Sequence, residues 1–140
     1  MAKIEKFEDL FVWQEGLAQA VKLYKLLANC TDYGLRDQIR RCSVSVPSNI
    51  AEGYERQTNR EFIRYLRIAK GSNGELRTQL HLAIAINVID AETGQELLKK
   101  SQLISAMLQN LLKVRIEKFD QDQFQKREKK KSSLGLQNNS

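Results

Sequence analysis

Glu52 and Glu75 are the two side chains that invite a reaction, because paired carboxylates are a common acid/base device. No histidine, cysteine or further carboxylate stands at a spacing that joins to them. A satisfied buried carboxylate is the better reading, with Arg41, Ser45, Ser48 and Asn49 as the partners such a group needs, so these six residues form a candidate buried polar network. The only histidine, His81, leaves no metal cluster and no histidine-based triad to assemble. Cys30 and Cys42 show no metal spacing and are expected reduced and packed. Glycine-rich phosphate loops, H-E-x-x-H and G-x-S-x-G are absent from the sequence. The expectation is therefore no catalytic residue, no metal and no cofactor. What remains is phosphate chemistry. Arg60, Arg64 and Arg67, with Arg56 upstream and Lys70 and Arg77 further round, make a basic stripe, and Lys126, Arg127, Lys129, Lys130 and Lys131 fall in one run near the C-terminus. Such stripes are either solvated surface or seats for a polyanion.

The elements that must carry these residues are helices. The chain has 140 residues, 41% hydrophobic and 29% charged, with one proline and seven glycines, the balance of one soluble all-α domain. Leu35, Ile39, Cys42, Val46 and Ile50 recur at helical spacing and face a core. Arg41, Ser45, Ser48 and Glu52 line a neighbouring face, while Val44, Pro47, Ala51 and Tyr54 form a second, weaker apolar edge. A helix with two apolar edges is covered twice, which makes Val44, Pro47, Ala51 and Tyr54 candidates for a subunit interface, provided the helix survives Pro47. An earlier helix over 9–29 has Leu10, Trp13, Leu17, Val21, Tyr24 and Ala28 as its core stripe. Thr58 and Glu61 fit a capping box opening the third helix, whose apolar side is Phe62, Leu66, Ala69, Leu76, Leu80 and Ala83. Gly71 and Gly74 lie together on its outer side, where glycine costs helix stability and suggests close approach of another backbone. Thr93 and Glu96 offer a second capping box for a fourth helix with core residues Leu97, Ile104, Leu108 and Leu111.

The run QIRRCSVSVPSNIAEGYER (38–56), followed by EFIRYLRIAKGSNGEL (61–76), resembles the four-helix-bundle family named for open reading frames in bacterial 23S ribosomal RNA intervening sequences. The similarity covers roughly Phe7 to Arg115. It implies an antiparallel up-down four-helix bundle assembled as a homopentameric ring, with no established enzymatic activity. A related branch, the accessory variability determinants of diversity-generating retroelements, implies a basic pentamer that binds nucleic acid and a reverse transcriptase. The resemblance also places Gly71, Ser72 and Glu75, a G-S-x-x-E motif, in helix and subunit packing. Cys42 stands where the family commonly has alanine. Asn73-Gly74 replaces a more apolar, more helix-favouring pair, which predicts a looser middle of the third helix.

After Phe119 the aliphatic periodicity fades, so residues 119–140 are expected as a disordered basic tail outside the 1–118 bundle. Its basic run over 126–131 is either a solubilising segment or a flexible arm for RNA or DNA; the run has no base-stacking aromatic and Phe124 alone makes a poor single-strand reader, so any binding by the tail is electrostatic and weakly sequence-specific. From Asp120 on it holds five basic and three acidic residues, leaving +4 of the formal +6 on the bundle. No apolar run is long enough to span a bilayer and the N-terminus lacks a signal-peptide pattern, so the expected location is cytoplasmic, with no membrane partner. Two functions of different class follow. One is a non-enzymatic homo-oligomeric nucleic-acid-binding accessory protein, with a reverse transcriptase as its implied partner. The other is a structural or protein-interaction bundle whose charges are ordinary surface.

Overall fold

A computed structural model describes residues 3–135. Four helices follow a short 3-10 turn at Phe7–Asp9: α1 (Phe11–Leu26), α2 (Tyr33–Glu55), α3 (Asn59–Ala85) and α4 (Ala91–Ser133). No strand occurs among the described residues. Short connections set neighbours antiparallel, and α2 packs between α1 and α3 while α3 packs against α4. α4 closes on α1 more loosely, helped by Lys100 on Glu15 and by Lys22 at 3.6 Å from Glu96.

Side-chain caps explain where α2, α3 and α4 begin. Asp32 accepts a hydrogen bond from Leu35 N at 3.1 Å, and Thr58 accepts one from Glu61 N at 3.2 Å. The Glu61 carboxylate does not complete the box; it turns to Arg64 instead. At α4 the cap is Asp90, which accepts from Thr93 N at 2.9 Å, so Thr93 already lies inside the helix and the expected Thr93–Glu96 box is not formed. Gln57 and Asn87, just beyond the ends of α2 and α3, take φ of 62° to turn the chain.

The stripes expected of α2 and α3 are the buried ones: Leu35, Ile39, Cys42, Val46 and Ile50 from α2, and Phe62, Leu66, Ala69, Leu76, Leu80 and Ala83 from α3. In α4, Leu97, Ile104 and Leu108 are buried and Leu111 packs half-buried against the core, while Leu112, outside the expected stripe, is buried more deeply. The first helix meets the expectation only at its start, where Leu10 is buried and Trp13 packs half-buried on the core; Ala28 is exposed. Val12, Gly16, Ala20 and Leu23 face inward, whereas Leu17, Val21 and Tyr24 are exposed. Gly16 lies on this face against Val46 and Pro47, where a Cβ would make ordinary contacts, 3.4–3.5 Å from their side chains. Pro47 is therefore buried within the protomer, and α2 runs unbroken through it.

The core divides into two clusters. One gathers Val12, Val46, Ile50, Leu66 and Leu108; the other Leu23, Ile39, Leu76, Leu80 and Leu97. Between them each helix contributes one buried polar side chain: Gln19, Ser43, Asn73 and Ser101, none more than 2% exposed. Asn73 Nδ2 donates to the Ser101 carbonyl at 2.7 Å, Ser101 Oγ donates to Asn73 Oδ1 at 3.3 Å, and Ser43 Oγ donates to the Arg40 carbonyl at 2.9 Å. Asn73 thus ties α3 to α4, and the helix continues through Asn73-Gly74 without a break. The Gln19 amide has no hydrogen-bond partner among the described residues.

The tail is the largest departure. α4 extends to Ser133, so residues 119–133, expected to be disordered, are helical. The segment has no proline and no glycine before Gly135, and its Gln, Lys, Arg and Glu are good helix formers. A helix already nucleated in the bundle adds such residues cheaply. Residues 136–140 of the expected tail lie outside the described residues.

Candidate nucleic-acid interface

The first turns of α3 lie beside α4 where α4 leaves the bundle, and Asn59 Nδ2 pins the two by donating to the Arg115 carbonyl at 2.7 Å. A cleft of about 1160 Å³ opens here, with Arg60, Arg64 and Arg67 around it and Ile63, Ile116 and Phe119 among its apolar lining. Spacing of four and three puts the arginines on one outward face of α3, as the sequence implies. Arg64 is fixed in place: its Nε donates to Glu61 at 3.3 Å and its guanidinium lies 4.8 Å from the centre of the Tyr65 ring. Arg60 and Arg67 are exposed and have no acidic partner among the described residues.

The other basic candidates fall elsewhere. Arg56 is occupied, donating to Glu52 Oε1 at 3.0 Å and to the Tyr65 hydroxyl at 2.9 Å, while that hydroxyl donates to Glu52 at 3.2 Å. The Arg56 bond, and after it the Tyr65 bond, holds the Glu52 carboxyl below its ordinary value. Lys70 donates to the Gln109 side chain, and Arg77 is half-buried further along α3. Lys126, Arg127, Lys129, Lys130 and Lys131 are exposed on the α4 extension, beyond the cleft, with Lys131 3.6 Å from Glu128.

The six-residue buried network does not form. Glu52, Glu75, Arg41 and Ser48 are exposed. Ser45 and Glu52 lie on the edge of α2 turned to α3, where they meet Ser72 and Tyr65, and that edge is reachable by water at Glu52. Only Ser45 and Asn49 join: Asn49 Nδ2 donates to Ser45 O and Oγ at 2.8 and 2.9 Å, and Ser45 Oγ meets Ser72 Oγ at 2.9 Å. Glu75 instead accepts from the Cys42 thiol at 3.5 Å, and burial foremost pushes that thiol above its ordinary value. The expected interface set also divides. Pro47 packs under α1, and Tyr54 stacks edge-on to Phe62 with ring centres 5.9 Å apart, so both serve the protomer. Val44 is 40% exposed and Ala51 half-buried, while a Cβ at Gly71 or Gly74 would meet nothing within 4 Å.

The 23S rRNA-intervening sequence protein family model matches residues 8–110. The chain belongs to this family. A crystal structure of a protein of unknown function from the S23 ribosomal protein family of Bacteroides thetaiotaomicron is similar, with a TM-score of 0.69 and 29% identity over 73% of this chain and 98% of the other. No curated protein matches the sequence. Within this intervening-sequence protein, Arg60, Arg64 and Arg67 fall inside the family match, whereas Ile116, Phe119 and the basic α4 extension lie beyond it. Among the described residues, no group of His, Cys, Asp and Glu could hold a metal, and no helix is long and apolar enough to cross a membrane.

Two groups escape a reading by composition. Ile116 and Phe119 mark where the apolar pattern of α4 ends, yet they are the apolar side chains that α4 contributes to the lining of the arginine cleft. The mid-bundle polar residues were visible only as interruptions of the apolar stripes, with Asn73 the clearest.

Proposed function

We propose that this intervening-sequence protein is a non-enzymatic, homo-oligomeric accessory protein that binds RNA or DNA through the Arg60–Arg64–Arg67 cleft. The observation that carries the reading is the convergence of cations at one end of the bundle. Three arginines rim the cleft, and α4 leaves that same end as a helix bearing Lys126, Arg127, Lys129, Lys130 and Lys131. With a net charge of +6 and a pI near 9.4, the whole chain adds to the attraction. Assembly into a ring, with five subunits as the resemblance implies, would repeat the cleft around a common axis and multiply a weak phosphate affinity. Gly71 and Gly74 support assembly: each weakens α3, and no contact inside the protomer calls for a missing Cβ there. Association with a reverse transcriptase belongs to this reading through the retroelement branch of the resemblance. The protein-interaction alternative is favoured by a different observation, the exposed Leu17, Val21 and Tyr24 on the outer side of α1.

The test is binding of mixed-sequence RNA and DNA over a salt series. Affinity should fall steeply with salt, and Arg60→Gln with Arg67→Gln should weaken it and flatten the slope, as loss of phosphate contacts requires. Absence of binding at low salt would leave the protein-interaction reading. Sedimentation at micromolar concentration should give an oligomer that Gly71→Leu breaks; a wild-type protomer of 16.1 kDa would end the ring.

A further inference from the structure

We infer that the α3–α4 cleft is built for unpaired nucleotides, so that the protein prefers single-stranded RNA or DNA to duplex; this rests on the nucleic-acid reading above. Charge alone does not explain the cleft. Its lining includes three arginines but also Glu61 and Asp120, a formal balance of only +1. Glu61 is spent in holding Arg64, so two guanidiniums, Arg60 and Arg67, stand without an acidic partner among the described residues. Beside these cations the lining is apolar, with the exposed Ile68 and the half-buried Ile116 and Phe119.

A duplex fits this surface badly. It presents phosphates and sugars outward and keeps its base faces stacked within, so docking it would press charged phosphate against isoleucine and phenylalanine and desolvate both. An unpaired strand offers both chemistries at once. Its base faces can lie on Phe119, Ile68 and Ile116 while its phosphates reach Arg60 and Arg67, and guanidiniums themselves stack on bases. The volume, about 1160 Å³, exceeds the roughly 300–1,000 Å³ of sites for single small molecules, which suits a run of nucleotides. Phe119 is half-buried, anchored against the first core cluster by part of its ring, so the remainder is presented in a fixed orientation. Preorganisation of that kind lowers the entropic cost of binding a flexible strand.

The experiment uses the full chain and measures anisotropy of three labelled probes at one low salt concentration: a mixed-sequence RNA strand without self-pairing, the DNA strand of the same sequence, and the corresponding duplex. Single strands should bind more tightly than the duplex. Phe119→Leu keeps an apolar side chain against the core but removes the aromatic face; it should weaken single-strand binding about 5- to 150-fold, the range one base–aromatic stack supplies, and leave duplex binding and the salt slope unchanged. Thermal melting of Phe119→Leu alongside wild type shows that the bundle is intact. Arg60→Gln with Arg67→Gln should weaken all three probes and flatten the slope. If duplex binds as well as single strand, and Phe119→Leu changes nothing while the arginine variant still weakens binding, the cleft is only a phosphate seat and this inference fails while the broader reading stands. If no probe binds, both fail.

Discussion

Replacing Gly53 with alanine would show how rigidly α2 and α3 are held together at the cleft end of the bundle. A Cβ there would lie 2.6 Å from Cβ of Tyr65, 3.2 Å from Cδ1 of Phe62 and 3.4 Å from Cα of Phe62. Carbon atoms normally rest about 3.5–4.0 Å apart, so the closest contact falls short by about 1 Å. Tyr65 Cβ is fixed to the α3 backbone and cannot rotate aside; one helix must move against the other. Overpacking costs roughly 1–3 kcal/mol, and a backbone that must shift puts this site at the upper end, while alanine regains about 1 kcal/mol of helix propensity. The net loss is about 2 kcal/mol, which for 140 residues at roughly 2.1 cal/mol/K each is a fall in Tm of about 7 °C. Gly94→Ala is the matched control. Its Cβ would come still closer to a neighbour, 2.3 Å from Cγ1 and 2.5 Å from Cδ1 of Ile84, but those atoms swing with the χ1 of a half-buried side chain. Its loss should stay below about 1 kcal/mol, since a rotamer change at a loosely packed site is the cheaper relief. Circular-dichroism melts of the three proteins at equal concentration decide the matter, because any assembly makes Tm depend on concentration. Gly53→Ala melting together with wild type, or Gly94→Ala falling further than Gly53→Ala, would refute the reasoning.

Gln19→Met should raise stability by about 1–2 kcal/mol, because a buried amide without partners carries its desolvation cost and methionine fills nearly the same volume. Destabilisation in the denaturant midpoint would mean that the amide is bonded in solution. Glu52→Gln should lower Tm at pH 7. The folded carboxyl is held below its ordinary value by Arg56 and Tyr65, so its contribution is complete above the unfolded value near about 4.3 and disappears as pH falls through the folded one. The gap between variant and wild type should therefore close on acidification below about pH 4, and a gap that stays constant with pH would show that the ion pair contributes nothing.

The sequence made the core of α2 and α3 legible because their large aliphatic residues recur on one face only, with charge opposite. α1 was misread for a definite reason. It has two apolar faces, and the outer one, Leu17, Val21 and Tyr24, is the bulkier. The face actually buried includes Gly16 and Ala20, which score poorly on any hydrophobic wheel although they lie on the packed side of α1, Gly16 against Val46 and Pro47. The candidate site was half legible: Arg60, Arg64 and Arg67 share a face by spacing alone, but the cleft exists only because α4 carries Ile116 and Phe119 past the start of α3, a tertiary fact. Glu52 failed as a buried group since nothing local says which edge of α2 is wet.

The extension of α4 changes what its lysines can do. Leu108, Leu112, Ile116 and Phe119 follow at four, four and three, the stripe that meets the other helices, and Gln123, Lys126 and Lys130 continue it at four, three and four. The side of α4 that packs inside the bundle becomes, once outside it, a cationic side. A disordered arm would spread its charges over many conformations and lose entropy on binding. A helix running about 21 Å from Phe119 to Ser133 instead holds Lys126 and Lys130 in line with Phe119, at the end of the molecule where Arg60 and Arg67 stand. The same switch from apolar to basic keeps the projecting helix from pairing with another copy of itself through that stripe, because lysines would face lysines. Under the nucleic-acid reading proposed above, the extension continues the cleft, and Lys126→Gln with Lys130→Gln should cost affinity for long strands while sparing strands short enough to be held by the cleft alone, as anisotropy with probes of two lengths would measure.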